Sequence, residues 1–183
     1  MKALLIVDML NDFVQENGAL PVKGAIDIVD RIKFLKKRAE SHSTSVIYGN
    51  DKHEKGDREL ETWGEHCMKG TYGAQVVDDL KPGLEDFVFE KHELSIFSND
   101  KFKGFLKKWP VLDEIYIVGV ATDYCVRAAA LDAAALGYKV KVVVDAIVGV
   151  ELKDGDCAKA LIEMGLAGCK PKYTSEALEE MLR

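Results

Sequence analysis

The sequence predicts an α/β fold in three layers: a doubly wound, mainly parallel sheet of the Rossmann type, with helices on both faces. Three observations predict it. Five short apolar runs recur along the chain, segments with helical periodicity fill most gaps between them, and 183 residues suffice for one domain, placed at 1–183, with a sizeable core. Strands that alternate with helices build a parallel sheet, because each crossover helix packs back on one face of it.

Each element follows in order. Residues 3–7, ALLIV, form the first apolar run. A helix is predicted over 24–40, where Ile26, Ile28, Val29, Ile32 and Leu35 share one broad face. TSVIYGN (44–50) reads as the second strand, and the long piece 51–84 has only a little helical character, in YGAQVVDDL. A connection that long in a compact domain is usually functional. EDFVFEK (85–91) is the third strand, DEIYIVG (113–119) the fourth and KVKVVVDA (139–146) the fifth. Helical patterns occupy 99–108, 123–136, 155–165 and the tail 174–182. The chain carries no internal repeat and no low-complexity tract.

Composition narrows the function classes. Apolar residues make up 48% and charged residues 31%, ordinary values for a soluble globular protein. The net charge is −6 with no long basic run, so no nucleic-acid partner is expected. MKALLIVDMLNDF has one lysine and an apolar run broken by Asp8, too short for a signal peptide or a membrane span. No membrane partner is expected. Cys67, Cys125, Cys157 and Cys169 form no CxxC pair, which points to reduced thiols and a cytoplasmic location.

A doubly wound sheet binds ligands beyond the carboxyl ends of its strands, where the strand order reverses. What each strand delivers there is therefore informative. The first delivers Asp8, the second Asp51 with His53 close behind, the third Lys91, and the fourth the segment that carries Cys125. Thr122 or Asp123 can cap the following helix and leave Cys125 in its first turn, where free N–H groups and the helix dipole favour a thiolate. Those N–H groups would also suit an oxyanion. On local sequence alone, an inert packing cysteine remains the alternative. Asp8 supplies a base for the thiol, and Lys91 a cation that orients the pair.

A second constellation lies in NDKHEKGDRELETWGEHC. Asp51 and His53 alternate, so an extended backbone points both the same way, and His66 comes thirteen residues after His53. One carboxylate and two imidazoles suit Zn, Fe or Mn and leave positions open for substrate. A charged, solvated loop is the alternative. His42 reads as a plain loop residue, and His92 has no evident partner.

These residues resemble the isochorismatase-like cysteine hydrolases and, within them, the nicotinamidases, over nearly the whole chain. LLIVDMLNDF is similar to the segment with the catalytic aspartate, EKHELSIF to that with the catalytic lysine, and GVATDYCVRAAALDAAALGY to the nucleophile segment. The resemblance implies that Asp8, Lys91 and Cys125 are catalytic. It also implies a cis peptide between Val120 and Ala121, which would turn the Ala121 N–H toward the oxyanion beside that of Cys125. It implies a divalent metal, zinc first with Fe or Mn as rivals, on Asp51, His53 and His66. Some members add a glutamate seven residues before the last histidine; Glu59 stands there, and Glu61 is its rival. Phe13 and Trp63 match the aromatic residues that sandwich the substrate ring.

The implied reaction is hydrolysis of nicotinamide to nicotinate and ammonia through a thioester. A related amidase acting on another small amide or ureido compound is the enzymatic alternative; a binding or scaffold protein on the same fold is the other. The family also implies a homo-oligomer, a dimer or tetramer. Two departures bear on the pocket: Leu94 replaces a tyrosine of the lysine segment, and the loop before His66 is shorter than in many members. Cys67, Cys157 and Cys169 are expected to pack, with Cys67 turned away from the metal by alternation.

Overall fold

The structure is a computed structural model that describes residues 1–42 and 44–181. Six strands form one sheet: β1 (Lys2–Val7), β2 (Thr44–Asp51), β3 (Phe87–Lys91), β4 (Glu114–Val120), β5 (Lys139–Val148) and β6 (Lys170–Lys172). Their order is β3-β2-β1-β4-β5-β6, and every pairing is parallel. The chain winds outward from β1 to β3, then returns beside β1 as β4 and winds the other way. The switch point lies between β1 and β4, where an open α/β sheet leaves a crevice.

Alternation sends successive side chains of each strand to opposite faces, and the central strands are buried on both. Leu4, Ile6, Val46, Tyr48, Tyr116 and Val118 pack on one side against α2 (Val29–Ser41) and α7 (Thr174–Glu180). Ala3, Leu5, Ile47, Ile115, Ile117 and Val140 pack on the other against α4 (Asp100–Lys107), α5 (Arg127–Ala135) and α6 (Asp156–Leu166). Short turns α1 (Asn11–Val14) and α3 (Leu60–Trp63) complete the helices. The alanines of α5 fit this arrangement: Ala129, Ala130 and Ala133 are fully buried, so the helix lies close to the sheet.

All five predicted strands are present, and β6 is an addition. It is three residues long, reads Lys-Pro-Lys and is partly exposed, so it carries no apolar run to find. The third strand begins at Phe87 rather than 85, because the Asp86 carboxylate accepts from the Gly83 N–H and closes a turn first. The helix predicted from 24 starts as a 3-10 turn over Ala25–Ile28 and becomes α-helical at Val29. Of YGAQVVDDL only Asp78–Leu80 is helical, a single turn. The tail helix ends at Glu180, and position 182 lies outside the described residues.

Candidate functional site

Three strand ends and one turn build the site. Asp8 follows β1 with φ 51°, a left-handed conformation that a non-glycine residue adopts under strain. Asp51 and Lys91 are the last residues of β2 and β3, paired in register. β4 reaches the site through Gly119, φ 112°, where a Cβ would meet the Val7 carbonyl oxygen at 2.0 Å. Only glycine allows that approach to β1. The Val120–Ala121 peptide that follows is cis, as the resemblance implied.

Cys125 lies in a wide turn, Thr122–Val126, closed by Val126 N–H donating to the Ala121 carbonyl at 3.1 Å. The expected cap is not made by Thr122 or Asp123. The Asp123 carboxylate instead accepts from the N–H groups of Val150 and Glu151, which ties the loop after β5 to the wall of the pocket.

The structure brings Asp8, Lys91 and Cys125 together. All are buried, with Asp8 and Lys91 each 1% exposed. Lys91 Nζ lies 2.9 Å from Asp8 Oδ2 and donates to Cys125 Sγ at 3.4 Å and to Asp51 Oδ1. Asp8 Oδ1 accepts from the Asp51 N–H at 2.7 Å. Asp8 Oδ2 takes no backbone hydrogen bond and meets only the lysine. That oxygen is the atom available to a thiol proton.

Electrostatics set the resting charges. Burial, then the Asp51 charge, push the Asp8 carboxyl up to about 7 against the pull of Lys91. Burial acts on Asp51 too, but Lys91 and His53 outweigh it and hold that carboxyl below its usual range. Burial opposes the Lys91 ammonium, which Asp51 and Asp8 nevertheless hold well above its usual range. Burial raises the Cys125 thiol well above normal, with Lys91 pulling the other way. The resting cysteine is therefore a thiol, not the thiolate that a helix dipole would favour. A base poised near neutrality beside a protonated thiol matches what proton transfer requires.

The second set closes around the other side of Asp51. The backbone brings His66 to His53: His53 N–H donates to the Cys67 carbonyl, and Lys69 N–H donates to the His53 carbonyl. Asp51 Oδ2 lies 3.8 Å from His53 Nε2 and 4.0 Å from His66 Nε2, and Glu59 Oε2 lies 3.9 Å from His53 Nε2. Glu61 is exposed and belongs to no such group. Donor atoms about 4 Å apart stand at roughly twice the length of a zinc–nitrogen or zinc–oxygen bond. His53 Nε2 is fully buried and has no hydrogen-bond partner, an orphan that a cation would satisfy. The Nδ1 atoms face outward, His53 to Asp57 Oδ2 at 3.1 Å and His66 to the Gly64 carbonyl at 2.9 Å. These partners leave each Nε2 as the bare donor. Donor set and orientation thus fit a divalent metal. Cys67 is buried in the core on the α2 side and joins neither set.

A pocket opens onto both sets. Its floor carries Asp8, Asp51, Glu59, His66 and Cys125; its walls are Phe13, Leu20, Val22, Trp63, Leu94 and Val150. Phe13 leans on His66 with ring centres 5.6 Å apart, and Trp63 meets Tyr124 edge-on at 5.0 Å. Tyr124 lines the pocket without having been singled out in the sequence, although it directly precedes Cys125. Asp57 was also missed. It binds both His53 and His92, at 3.1 and 3.0 Å, so His92 does have a partner.

Comparison with known proteins places the chain. The family described as "Isochorismatase domain" matches residues 2–169. The nicotinamidase of Escherichia coli is 32% identical, with 98% of this chain and 97% of that protein covered. The pyrazinamidase of Pyrococcus horikoshii, solved in complex with zinc, superposes with a TM-score of 0.83 at 32% identity, covering 94% and 98% of the two chains. The N-carbamoylsarcosine amidase of Thermoplasma acidophilum superposes with a TM-score of 0.85 at 31% identity, covering 96% and 98%. Fold and relatives together define an amide-hydrolysing enzyme of the three-layer α/β class, acting on small molecules. The chain belongs to the isochorismatase family. Among the described residues, no helix is long and apolar enough to cross a membrane.

Proposed function

We propose that the protein is a nicotinamidase, a cysteine amidohydrolase that converts nicotinamide and water to nicotinate and ammonia. One observation carries the reading: Asp8 and Cys125 of one cluster and Asp51, Glu59 and His66 of the other line one apolar, aromatic-walled pocket, with Lys91 and His53 buried behind them. A flat heteroaromatic amide has a ring for the walls, a ring nitrogen for one cluster and a carboxamide for the other.

Asp8 Oδ2 takes the Cys125 proton as sulfur attacks the carboxamide carbon. Negative charge moves to the carbonyl oxygen, where the N–H groups of Ala121 and Cys125 receive it. As the tetrahedral species collapses, the C–N bond breaks and Asp8 returns its proton to the departing nitrogen, which leaves as ammonia. Water then attacks the thioester with Asp8 again as base; the C–S bond breaks and the thiol is restored. Lys91 holds Asp8 in place and offsets the charge that passes between Asp8 and Cys125. Asp51, His53, Glu59 and His66 would hold a divalent metal, zinc in first place, which when bound supplies a Lewis acid for the ring nitrogen. Phe13 and Trp63 hold the ring.

An N-carbamoyl amino acid is the weaker candidate. It carries a carboxylate, whereas the ionisable residues lining the pocket are Asp8, Asp51, Glu59, His66, Tyr124 and Cys125, with neither arginine nor lysine among them. The test is ammonia release from nicotinamide, with and without a chelator, beside Cys125→Ala. Release that needs both Cys125 and metal supports the reading. Rapid ammonia release from a ureido acid with none from nicotinamide overturns it.

A further inference from the structure

We infer that Asp57 is a positioning residue for the metal centre, the carboxylate that fixes His53 with Nε2 toward the ion. The inference rests on the metal reading above and extends it to a residue outside the ligand set.

Asp57 Oδ2 is the meeting point of three donors. It accepts from the Glu54 N–H at 3.0 Å, and it lies 3.1 Å from His53 Nδ1 and 3.0 Å from His92 Nδ1. The first contact closes a tight turn directly after His53, together with Asp57 N–H donating to the Glu54 carbonyl. The carboxylate is thus held by its own backbone and has little freedom to leave the imidazole.

A neutral imidazole carries one N–H and one lone pair, and the hydrogen bond at one nitrogen decides which is which. With Nδ1–H donating to a carboxylate, the lone pair falls on Nε2. That atom is buried, unpartnered and grouped with Asp51, Glu59 and His66. An ionised partner also makes the imidazole a better donor to a cation than a carbonyl does. His66 is held by the Gly64 carbonyl, so the two histidines are oriented by different means and His53 is the one whose basicity Asp57 raises. Asp57 also ties the start of the segment that carries Glu59 and Trp63 to the floor of the site.

The test measures zinc affinity of the purified protein by chelator competition, for wild type, Asp57→Ala and Asp57→Asn. Loss of an orienting carboxylate weakens metal sites about 10- to 100-fold, and that is the expectation for Asp57→Ala. Asp57→Asn keeps an acceptor without the charge, so it should lose less; it also serves if Asp57→Ala does not fold. The second readout is the ring N–H spectrum of the zinc-loaded, 15N-histidine protein. The His53 Nδ1–H should be protected from exchange in wild type and lost in Asp57→Ala, while the His66 Nδ1–H persists. A loss of folding alone would move both signals. Affinity within twofold of wild type in both variants overturns the inference. So does zinc bound through His53 Nδ1. Wild-type protein that binds no zinc overturns the metal reading with it.

Discussion

Lys91 and Asp51 form a buried ion pair that joins the two halves of the site. Lys91 Nζ donates to Asp51 Oδ1, while Asp51 Oδ2 faces His53 and His66. One carboxylate thus sets the lysine beside Asp8 and Cys125 and also belongs to the candidate metal set. Its orientation is fixed from both sides, so neither cluster can shift without the other.

Removing the lysine should therefore do more than slow the reaction. Lys91→Ala leaves Asp8 and Asp51 buried beside each other without the ammonium between them. Breaking a buried pair from one side typically costs about 3–5 kcal/mol. Urea unfolding at pH 8 should show a loss of that order, and a loss under 1 kcal/mol would mean that water already screens the pair. Lys91 pulls the Asp8 carboxyl down, so without it Asp8 takes up its proton at a higher pH, and the loss should shrink as the pH falls toward about 7 and level off below it.

Cys125→Ala and Asp8→Asn should each lower kcat/KM for ammonia release by about three orders of magnitude or more, because thiol and base act as one unit. The double variant should be no worse than the poorer single variant to within about tenfold. Losses that multiply would show that Asp8 and Cys125 act in separate steps.

Asp8 also sets a pH dependence of opposite sign for activity and stability. Its carboxyl is pushed up to about 7 by burial and by Asp51. As a base it must be ionised, so kcat/KM should fall as the pH drops below about 7. The folded state binds this proton more tightly than the unfolded chain does. The group therefore contributes stability at low pH, fully present below the ordinary carboxyl range and lost as the pH rises through about 7. Asp8→Asn, a permanent neutral mimic, should be more stable than wild type at pH 8, on the order of 1 kcal/mol, with the gap closing toward pH 5. An inactive variant that is also less stable at pH 8 would contradict the charge assignment.

Most of the fold was legible because its strands are apolar runs with no ambiguity of period. What the sequence hid is local. β6 has three residues and a proline, and its place depends on β5 rather than on its own side chains. The site was legible at strand ends, since topology alone sends Asp8, Asp51, Lys91 and the Cys125 turn to one crevice. Spacing put Glu59 ahead of Glu61, and in the structure Glu59 is half-buried beside His53 whereas Glu61 is exposed. Asp57 was invisible because its role arises from a hydrogen bond four residues back, inside a loop that reads as solvated charge. The resting state of Cys125 depends on more than its local turn. Local sequence shows the helix turn but not the depth of burial or the two nearby carboxylates, Asp8 and Asp51, and these hold the proton on sulfur.

Trp63 stands on α3, a turn with no buried residue, and touches Tyr124 across the pocket mouth. Its removal should spare the fold and weaken substrate binding. Trp63→Ala is expected to raise KM about tenfold with kcat changed only a few-fold, because a ring wall binds ground state and transition state alike. A fall in kcat with KM unchanged would instead place Trp63 in the chemistry.

Metal removal should lower stability through the same residues that bind it. Without a cation, the Asp51 and Glu59 carboxylates crowd together and His53 Nε2 is buried with nothing to bind. A ligand that binds only the folded state stabilises it by about 2.7 kcal/mol at one hundred times its Kd. Wild-type protein should melt several degrees higher with zinc than with a chelator. His66→Ala should lose most of that difference, because it removes a donor from the set. Cys125→Ala should keep it in full, since the thiol lies in the other cluster. If Cys125→Ala lost the zinc-dependent shift and His66→Ala kept it, the ion would sit between Asp8, Asp51 and Cys125, the alternative trio whose donor atoms also lie within 4.8 Å of one another.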